Sequence, residues 1–445
     1  MENQLSIPKI FQILKSLILT RCIQFLIAHV GNLYLKKRIF ADNPCHSLIK
    51  YGNDTAHVET QSLSNLTFHS AGESHGRGCF AFLEGFPFGV TLNLDTLNKQ
   101  LARRQKGYGR GGRMKIETDK AEFLSGVRHE RSMGAPILMA VWNRDCRIET
   151  APELTCPRPG HADLAGYLKF GAPIRDVLER ASARETAARV AAGALCRQFL
   201  DPFQIVIRSH VVSIGGVTVP DGFAPTFEDM AHADESEVRC LHKPTEAAMI
   251  AAIDDAKKNG DTLGGVFEIV VQGLPIGLGD HTQWDRKLDG RVAQCIMSIQ
   301  AIKGVEIGLG FKAATLPGSH VHDPINYMHS PGHAPHGGFH RPTNGAGGLE
   351  GGITNGAPLV IRAAMKPIST LMKPLMSVDL DTGEPKKADI ERSDYCAVPA
   401  AAVVGENFLA FVLAQAFCEK FGGDSLVEIH RNYSGYVASI GVKRG

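Results

Sequence analysis

The sequence predicts an α+β fold with an internally duplicated core, and three observations lead there. From about Asn65 onward, short β-like runs alternate with Gly and Pro punctuation and with a few long Ala-rich helical patterns. The run Leu83-Glu-Gly-Phe-Pro-Phe-Gly-Val90 is echoed by Val271-Gln-Gly-Leu-Pro-Ile-Gly-Leu278, both reading Gly-apolar-Pro-apolar-Gly after a β-like segment. Gly134-Ala-Pro-Ile-Leu138 is echoed, in the same chain order, by Gly356-Ala-Pro-Leu-Val360. Any one such Gly/Pro match arises easily by chance, but the shared order predicts a duplicated β-α-β unit whose halves pack as equivalents.

Three helices can be placed. Ser182-Ala-Arg-Glu185 has the spacing of a capping box, and Ala188, Ala191, Leu195 and Phe199 follow at helical intervals, so Ser182 is the expected N-cap of a buried helix. A second helix is expected from about Pro399 to Lys420, with Pro in its first turn and Gly422-Gly423 beyond its end. A third, from Asp285 to Gln300, carries Leu288, Val292, Cys295 and Ile299 on one face.

Composition narrows the classes. The 445 residues are 44% hydrophobic and 21% charged, an ordinary globular balance. Lys plus Arg number 48 against 46 Asp plus Glu, which argues against a dedicated nucleic-acid binder and leaves any anion site to local clustering. The ten cysteines are scattered without a C-x-x-C pair, as expected of reduced packing residues in a cytoplasmic protein.

Residues 1–65 differ from the rest. Ile7 to Leu35 is apolar but interrupted by Lys9, Lys15 and Arg21, so no uncharged stretch reaches the roughly 18 residues of a membrane span. The charges inside the apolar region also fit a signal peptide poorly. An organelle-type presequence, an interfacial helix, or sequence translated from a start codon earlier than the native one remain as readings, and the last is preferred. The expected division is therefore a 1–65 extension and a 66–445 domain.

Several segments carry chemistry. Arg103 to Arg113 holds five cationic side chains and four glycines, with no acidic residue before Glu117. Guanidinium forks and close-approaching backbone N–H groups suit oxyanions, although an RNA-binding Arg-Gly segment or a plain solvated loop has the same composition. Gly72-Glu-Ser-His-Gly76 sets a histidine between small residues, where it could protonate a departing phosphate. Arg158-Pro-Gly-His-Ala-Asp163 holds another beside a rigid turn. The start of the Ser182 helix, flanked by Arg180 and Arg184, is a further anion seat. Glu391-Arg-Ser-Asp394 puts Arg392 and Asp394 near the start of the second helix. Gly345 to Gly352 and Lys366-Pro-Ile-Ser-Thr370 supply backbone donors, hydroxyls and a cation for a phosphate or polar heterocycle. The six histidines from His320 to His340 invite a metal, but no carboxylate or thiolate ligands stand at zinc-site spacing, and a Gly/Pro-rich mobile loop without metal is expected.

The order of these blocks resembles the chorismate synthase family from about Leu66 to the end of the chain. The blocks are Ala71 to Gly76, Arg103 to Lys115 with Leu124-Ser-Gly-Val127, Arg158 to Asp163, Ser182 to Gly193, Gln283 to Gly310, Gly347 to Leu371, and Glu391 to Ala401. The Gly-Tyr-Gly-Arg-Gly-Gly-Arg run is similar to that of a subgroup common in Gram-positive bacteria. The resemblance implies a β-α-β sandwich with a repeated core and a cytoplasmic homotetramer that engages no nucleic acid and no membrane. It implies loss of phosphate and a ring proton from 5-enolpyruvylshikimate 3-phosphate, the last step of the shikimate pathway to aromatic amino acids. One reduced FMN per subunit is implied, with NADPH or a separate flavin reductase as the source of electrons. It makes His75 the acid at the leaving phosphate, His161 a flavin-side proton donor, and Asp394 a support for flavin N5. Arg104, Arg110 and Arg184 become substrate or NADP anion contacts. FMN contacts fall on Arg180, Ala181, Ser182, Gln300, Ala301, Gly351, Lys366, Pro367, Ile368, Ser369, Thr370 and Arg392. Ala181 stands where the family usually has a second serine, Gln300 where Asn is common, and Tyr395-Cys396 where Pro is usual. A flavin-dependent oxidoreductase and an RNA-binding protein are the rival readings.

Overall fold

The computed structural model describes residues 66–112, 116–328, 334–391 and 393–441. The chain divides into two compact units at Gln61/Ser62, and all described residues belong to the second. The expected 1–65 extension lies outside the described residues.

The first half opens with β1 (Thr67–Ala71) and β2 (Gly78–Glu84), followed by helix α1 (Leu94–Gln105), β3 (Ala121–Ser125) and β4 (Ile137–Trp142). Short helices α2 (Asp163–Phe170) and α3 (Ile174–Ala181) lead to the long α4 (Thr186–Leu200). The second half runs β5 (Val206–Ile214), α5 (Lys243–Lys258), β6 (Gly265–Gln272), α6 (Leu288–Met297), β7 (Ile302–Ile307) and β8 (Leu359–Met365). It closes with α7 (Val398–Phe421) and α8 (Leu426–Ser439).

Two antiparallel sheets result. The first has the order β1-β2-β4-β3, and the second β7-β8-β6-β5 with the short edge strand Val217–Thr218 beside β5. Matched by position in each half, β1, β2, β3 and β4 correspond to β5, β6, β7 and β8, and α1 and α4 correspond to α6 and α7. Register supports the match. Leu83 pairs with Ile137 and Val271 pairs with Leu359, which are the equivalent positions of the two sequence echoes. The flanking glycines share left-handed backbone as well: φ is +74° at Gly85 and +88° at Gly273, +70° at Gly134 and +84° at Gly356. The repeated unit is therefore ββαββα, larger than the β-α-β unit expected from the sequence, because each echo marks only the pairing of its second and fourth strands.

Helices α4 and α7 form a middle layer, α4 lying on β1, β2 and β4, and α7 on β5 and β6. This is the sandwich that the resemblance implies. Alternation on the strands fits: Cys79, Ala81 and Leu83 on β2, and Phe267, Ile269 and Val271 on β6, are buried between the layers. Both middle helices are buried on nearly every side, which their Ala, Val and Gly content permits. By length and composition α7 could cross a membrane, but 89% of its apolar window is buried in this core.

Helix boundaries correct the sequence reading in places. Ser182 caps a 3₁₀ turn, Ala183–Glu185, through Arg184 N–H, and α4 proper begins at Thr186. Glu185 does not close a capping box, because its carboxylate is engaged by Ser70, Arg189 and Gln300. A true capping box occurs at Ser425 and Glu428, on α8. The third expected helix starts as a 3₁₀ turn at Trp284–Arg286, and α6 ends at Met297, before Ile299. Part of the His320 to His340 segment is ordered as a helical turn, Gly318–Val321, and a pairing of Asn326–Tyr327 with Phe339–His340. His329 and His333 lie outside the described residues.

Candidate active site

A cavity of about 410 Å³ opens where the N-terminal ends of α4 and α7 approach each other. That volume lies in the range of small-molecule sites. Its walls come from both halves: Ser74 and His75 from the β1–β2 turn, Arg158 with Gly160 to Ala162, the α3–α4 junction, Ile299 to Ala301, Met365, Lys366 and Ile368 to Thr370, and Glu391, Ser393 and Asp394.

One wall is cationic. Arg104, in the last turn of α1, and Arg184, in the 3₁₀ turn before α4, share a single buried carboxylate. Asp119 accepts from Arg104 Nη2 and from Arg184 Nη1, each at 2.5 Å. Burial raises the Asp119 carboxyl, but the two guanidinium charges and their hydrogen bonds outweigh it and hold the group below the usual carboxylate range. Thr186 Oγ1 accepts from Arg104 Nη1 and Asn143 Oδ1 from Arg184 Nε. Arg104 Nε has no hydrogen-bond partner among the described residues. A second buried carboxylate, Glu117, lies 3.9 Å from Arg184 Nη2, so the two arginines face two carboxylates and what this wall offers an anion is guanidinium N–H donors, Arg104 Nε among them, rather than surplus charge. Arg110 approaches Asp394, Nε to Oδ2 at 3.2 Å, and Asp394 Oδ1 accepts from Gly111 N–H at 2.6 Å. The glycine-rich segment is thereby tied to the start of α7.

Arg103, next to Arg104, points elsewhere. Consecutive helical residues project about 100° apart, so Arg103 meets Glu406 on α7 while Arg104 meets the cavity. Arg103, Arg104 and Arg110 of this run are thus engaged inside the protein, which disfavours the RNA-binding reading.

His75 is buried. Its Nδ1 lies 2.8 Å from Glu179 Oε1, and its backbone N–H donates to Glu179 Oε2 at 2.7 Å. Ser74 Oγ donates to Ser182 Oγ at 3.1 Å, joining the turn to the α3–α4 junction.

On another wall, His161 Nδ1 lies 2.5 Å from Asp163 Oδ1 and 3.0 Å from Arg158 Nη2. Nδ1 cannot both donate to the carboxylate and accept from the guanidinium. The shorter contact with a carboxylate decides that it donates to Asp163. Arg158 also donates to Asp163 from Nε and Nη2, and to Thr370 Oγ1 from Nη1. Burial raises the Asp163 carboxyl, yet the bonds from His161 and Arg158 drive it far below the usual range.

Of the remaining expected contacts, Ala181, Ser182, Gln300, Ala301, Lys366, Ile368, Ser369 and Thr370 line the same cavity. Gln300 Nε2 donates to Glu185, and its Oε1 has no partner among the described residues. Lys366 Nζ donates to Gly160 O. Ala301 adopts φ +67°, a left-handed conformation that costs a non-glycine residue roughly 1 kcal/mol and tends to persist where function requires it. Unpartnered Gln300 Oε1 and Arg104 Nε, with a lysine and two hydroxyls nearby, form a donor and acceptor set that fits a phosphorylated heterocycle. Three expected contacts do not reach the cavity. Arg180 is exposed and ties down the end of β1 by donating to Gly72 O and Ser70 O. Gly351 sits exposed in the turn between Leu349–Glu350 and Ile353–Thr354, and Pro367 faces outward between lining neighbours. Arg392 lies outside the described residues.

Sequence reasoning missed Asp119 and Glu179, which hold Arg104, Arg184 and His75. Only Arg158 and Asp163 flanking His161 gave a local signal. Among the described residues no His/Cys/Asp/Glu group could hold a metal ion.

Comparison with known proteins agrees with this geometry. Residues 66–418 match the chorismate synthase family model. The chain is 53% identical over 385 residues to the chorismate synthase of Carboxydothermus hydrogenoformans, covering 83% of this chain and 98% of that protein. It is 54% identical over 383 residues to that of Moorella thermoacetica, covering 83% and 98%. A crystal structure of a chorismate synthase superposes with a TM-score of 0.69 at 43% identity, over 85% of this chain and 99% of the other. With a family model spanning most of the chain, relatives matched end to end, and the same fold in a solved structure, the chain belongs to the chorismate synthase family.

Proposed function

We propose that residues 66–445 form the catalytic domain and that the cavity between the α4 and α7 termini is where chorismate is made. Family membership makes the protein a phosphate lyase of the shikimate pathway, acting on a small molecule with a flavin cofactor. The reaction removes phosphate from one ring carbon and a proton from another. A C–O and a C–H bond break, one C=C bond forms, and there is no net redox change.

The observation that carries the reading is the convergence of Arg104, Arg184, His75, His161 and Asp394 on one cavity. Arg104 and Arg184, held by Asp119, bind the anionic substrate, and Arg110 adds to their field. His75 delivers a proton to the departing phosphate. His161, restrained by Asp163, donates a proton on the flavin side, and Asp394, restrained by Gly111 and Arg110, supports flavin N5. Gln300, Ala301, Ala181, Ser182, Lys366 and Ser369 to Thr370 hold the flavin, which we assign as reduced FMN. When bound, it supplies electron density to the substrate ring and recovers it at the end of the turnover.

The test is anaerobic phosphate release from 5-enolpyruvylshikimate 3-phosphate, with chorismate absorbance followed, using dithionite-reduced FMN and then no flavin. Product only with reduced FMN supports the reading. Steady NAD(P)H consumption with an electron acceptor and no chorismate would favour the oxidoreductase alternative. Reducing equivalents come from NADPH at this site or from a separate flavin reductase, and NADPH with oxidised FMN under anaerobic conditions separates the two. A homotetramer working in the cytoplasm completes the proposal, and sedimentation tests the assembly.

A further inference from the structure

Glu179, near the end of α3, grips the Ser74–His75 turn in three ways. Its carbonyl accepts from Ser74 N–H at 2.9 Å, Oε2 accepts from His75 N–H at 2.7 Å, and Oε1 lies 2.8 Å from His75 Nδ1. An ionised carboxylate has no proton to donate, so the third contact requires a hydrogen on Nδ1. Burial raises the Glu179 carboxyl, but the hydrogen bonds from the His75 ring and backbone and the charge of Arg175 hold it below its usual range, in the ionised form.

Further charged groups stand around this pair. Behind Glu179, Arg175 on α3 lies 3.8 Å away, Nη1 to Oε1, and donates from Nη2 to Glu391 Oε1 at 2.7 Å. After β4, Asp145 Oδ2 lies 3.9 Å from His75 Nε2, and Asp145 Oδ1 is paired with Arg147 Nε at 3.0 Å. The other histidine of the cavity repeats the pattern, since Arg158 backs Asp163 and Asp163 backs His161 Nδ1. Two walls thus carry an Arg–carboxylate–His series, which simple anchoring of one turn does not require.

We propose that Glu179 is a positioning residue for the elimination, fixing the hydrogen of His75 on Nδ1 and leaving Nε2 as the nitrogen that delivers the proton. In that step the Nε2–H bond breaks, an O–H bond forms on the leaving phosphate, and the neutral ring that remains keeps its Nδ1–H bond to Glu179. The proposal rests on the reading of His75 as the acid.

The test is phosphate release with reduced FMN as a function of pH for Glu179→Gln, Arg175→Gln, His75→Ala and the double variant Glu179→Gln/His75→Ala, with FMN binding measured alongside. A carboxylate stabilises the protonated ring, and an acid catalyst loses activity as pH rises through its own titration. Glu179→Gln therefore lowers kcat about 10-fold or more and moves the alkaline limb of the kcat profile down by about one pH unit, with KM and FMN affinity within a few-fold. Arg175→Gln removes the competing cation and moves the same limb up, a shift of opposite sign that carries the test if the Glu179 variant does not fold. In the double variant, Glu179→Gln adds no loss to that of His75→Ala. An unmoved limb in both single variants, or losses that simply add, would overturn the proposal and leave Glu179 a structural residue. If His75→Ala itself turns over within a few-fold of the unaltered protein, the failure belongs to the histidine's assignment instead.

Discussion

Gly193 and Asn407 meet backbone to backbone where α4 crosses α7, so closely that a Cβ on Gly193 would fall 1.9 Å from the Asn407 carbonyl oxygen. A fixed main chain on the far side cannot yield as a flexible side chain would. Gly193→Ala is expected to destabilise the protein by about 3 kcal/mol through overpacking. Gly435 on α8 is the control, since nothing lies within 4 Å of its added Cβ, and Gly435→Ala should be neutral or stabilising by up to about 1 kcal/mol. Urea midpoints check both, and equal midpoints for the two variants would show that the crossing has room to relax.

Glu406, one residue before Asn407, is a buried carboxylate ringed by arginines in the core. It accepts from Arg103, Arg197, Arg239 and Ser209, which come from α1, α4, the segment before α5, and β5. Burial raises its carboxyl, but the three guanidinium charges bring it down to about 2 from an ordinary 4.5. A carboxylate depressed in the folded state stabilises the fold above its unfolded value and loses that contribution as protons bind. Stability should therefore fall between about pH 4.5 and pH 2. Glu406→Gln should cost about 3 to 5 kcal/mol at neutral pH, because it leaves buried guanidinium groups without their counter-charge. The variant's midpoints should also vary less over that acid window, which denaturant titration at several pH values measures.

His75→Ala is expected to lower turnover by about 10²-fold or more while FMN still binds. Phosphate release and flavin fluorescence read the two effects separately. Turnover within a few-fold of the unaltered protein would remove His75 from the reaction.

Arg104→Ala and Arg184→Ala should each raise KM for the phosphorylated substrate by about 10-fold to 10²-fold, the range expected for a charge-assisted hydrogen bond. Asp119→Asn leaves both guanidinium groups in place but removes their common anchor, so a smaller rise in KM is expected. Steady-state kinetics at fixed ionic strength make the comparison, and an Asp119→Asn effect larger than either arginine loss would contradict a purely orienting role.

Much of this was legible in the chain. The Gly-Pro echoes fell at equivalent strand pairs of the two halves, and Pro399 and Gly422-Gly423 marked the ends of α7 to within a residue or two. The size of the repeat was not legible, because the outer strands β1, β3, β5 and β7 carry no shared motif. Ser182 and Glu185 had the spacing of a capping box, but Ser70, Arg189 and Gln300 compete for the Glu185 carboxylate, and sequence spacing is blind to such tertiary partners. Arg103 and Arg104 look interchangeable in a charge run, and only the turn of a helix separates a core ion pair from a cavity wall. Glu179 and Asp119 were unreadable for the same reason, since each acts on residues distant in sequence.

The position of α7 has a consequence for how the protein comes off the ribosome. The first sheet and α4 are complete in sequence by Leu200, yet the surface of α4 that α7 covers stays bare until residues 398–421 have been made. Arg103, Arg197 and Arg239 likewise wait for Glu406. The first half is thus no self-sufficient folding unit despite its repeated architecture, and a nascent chain must keep a wide apolar surface from aggregating until synthesis is almost finished.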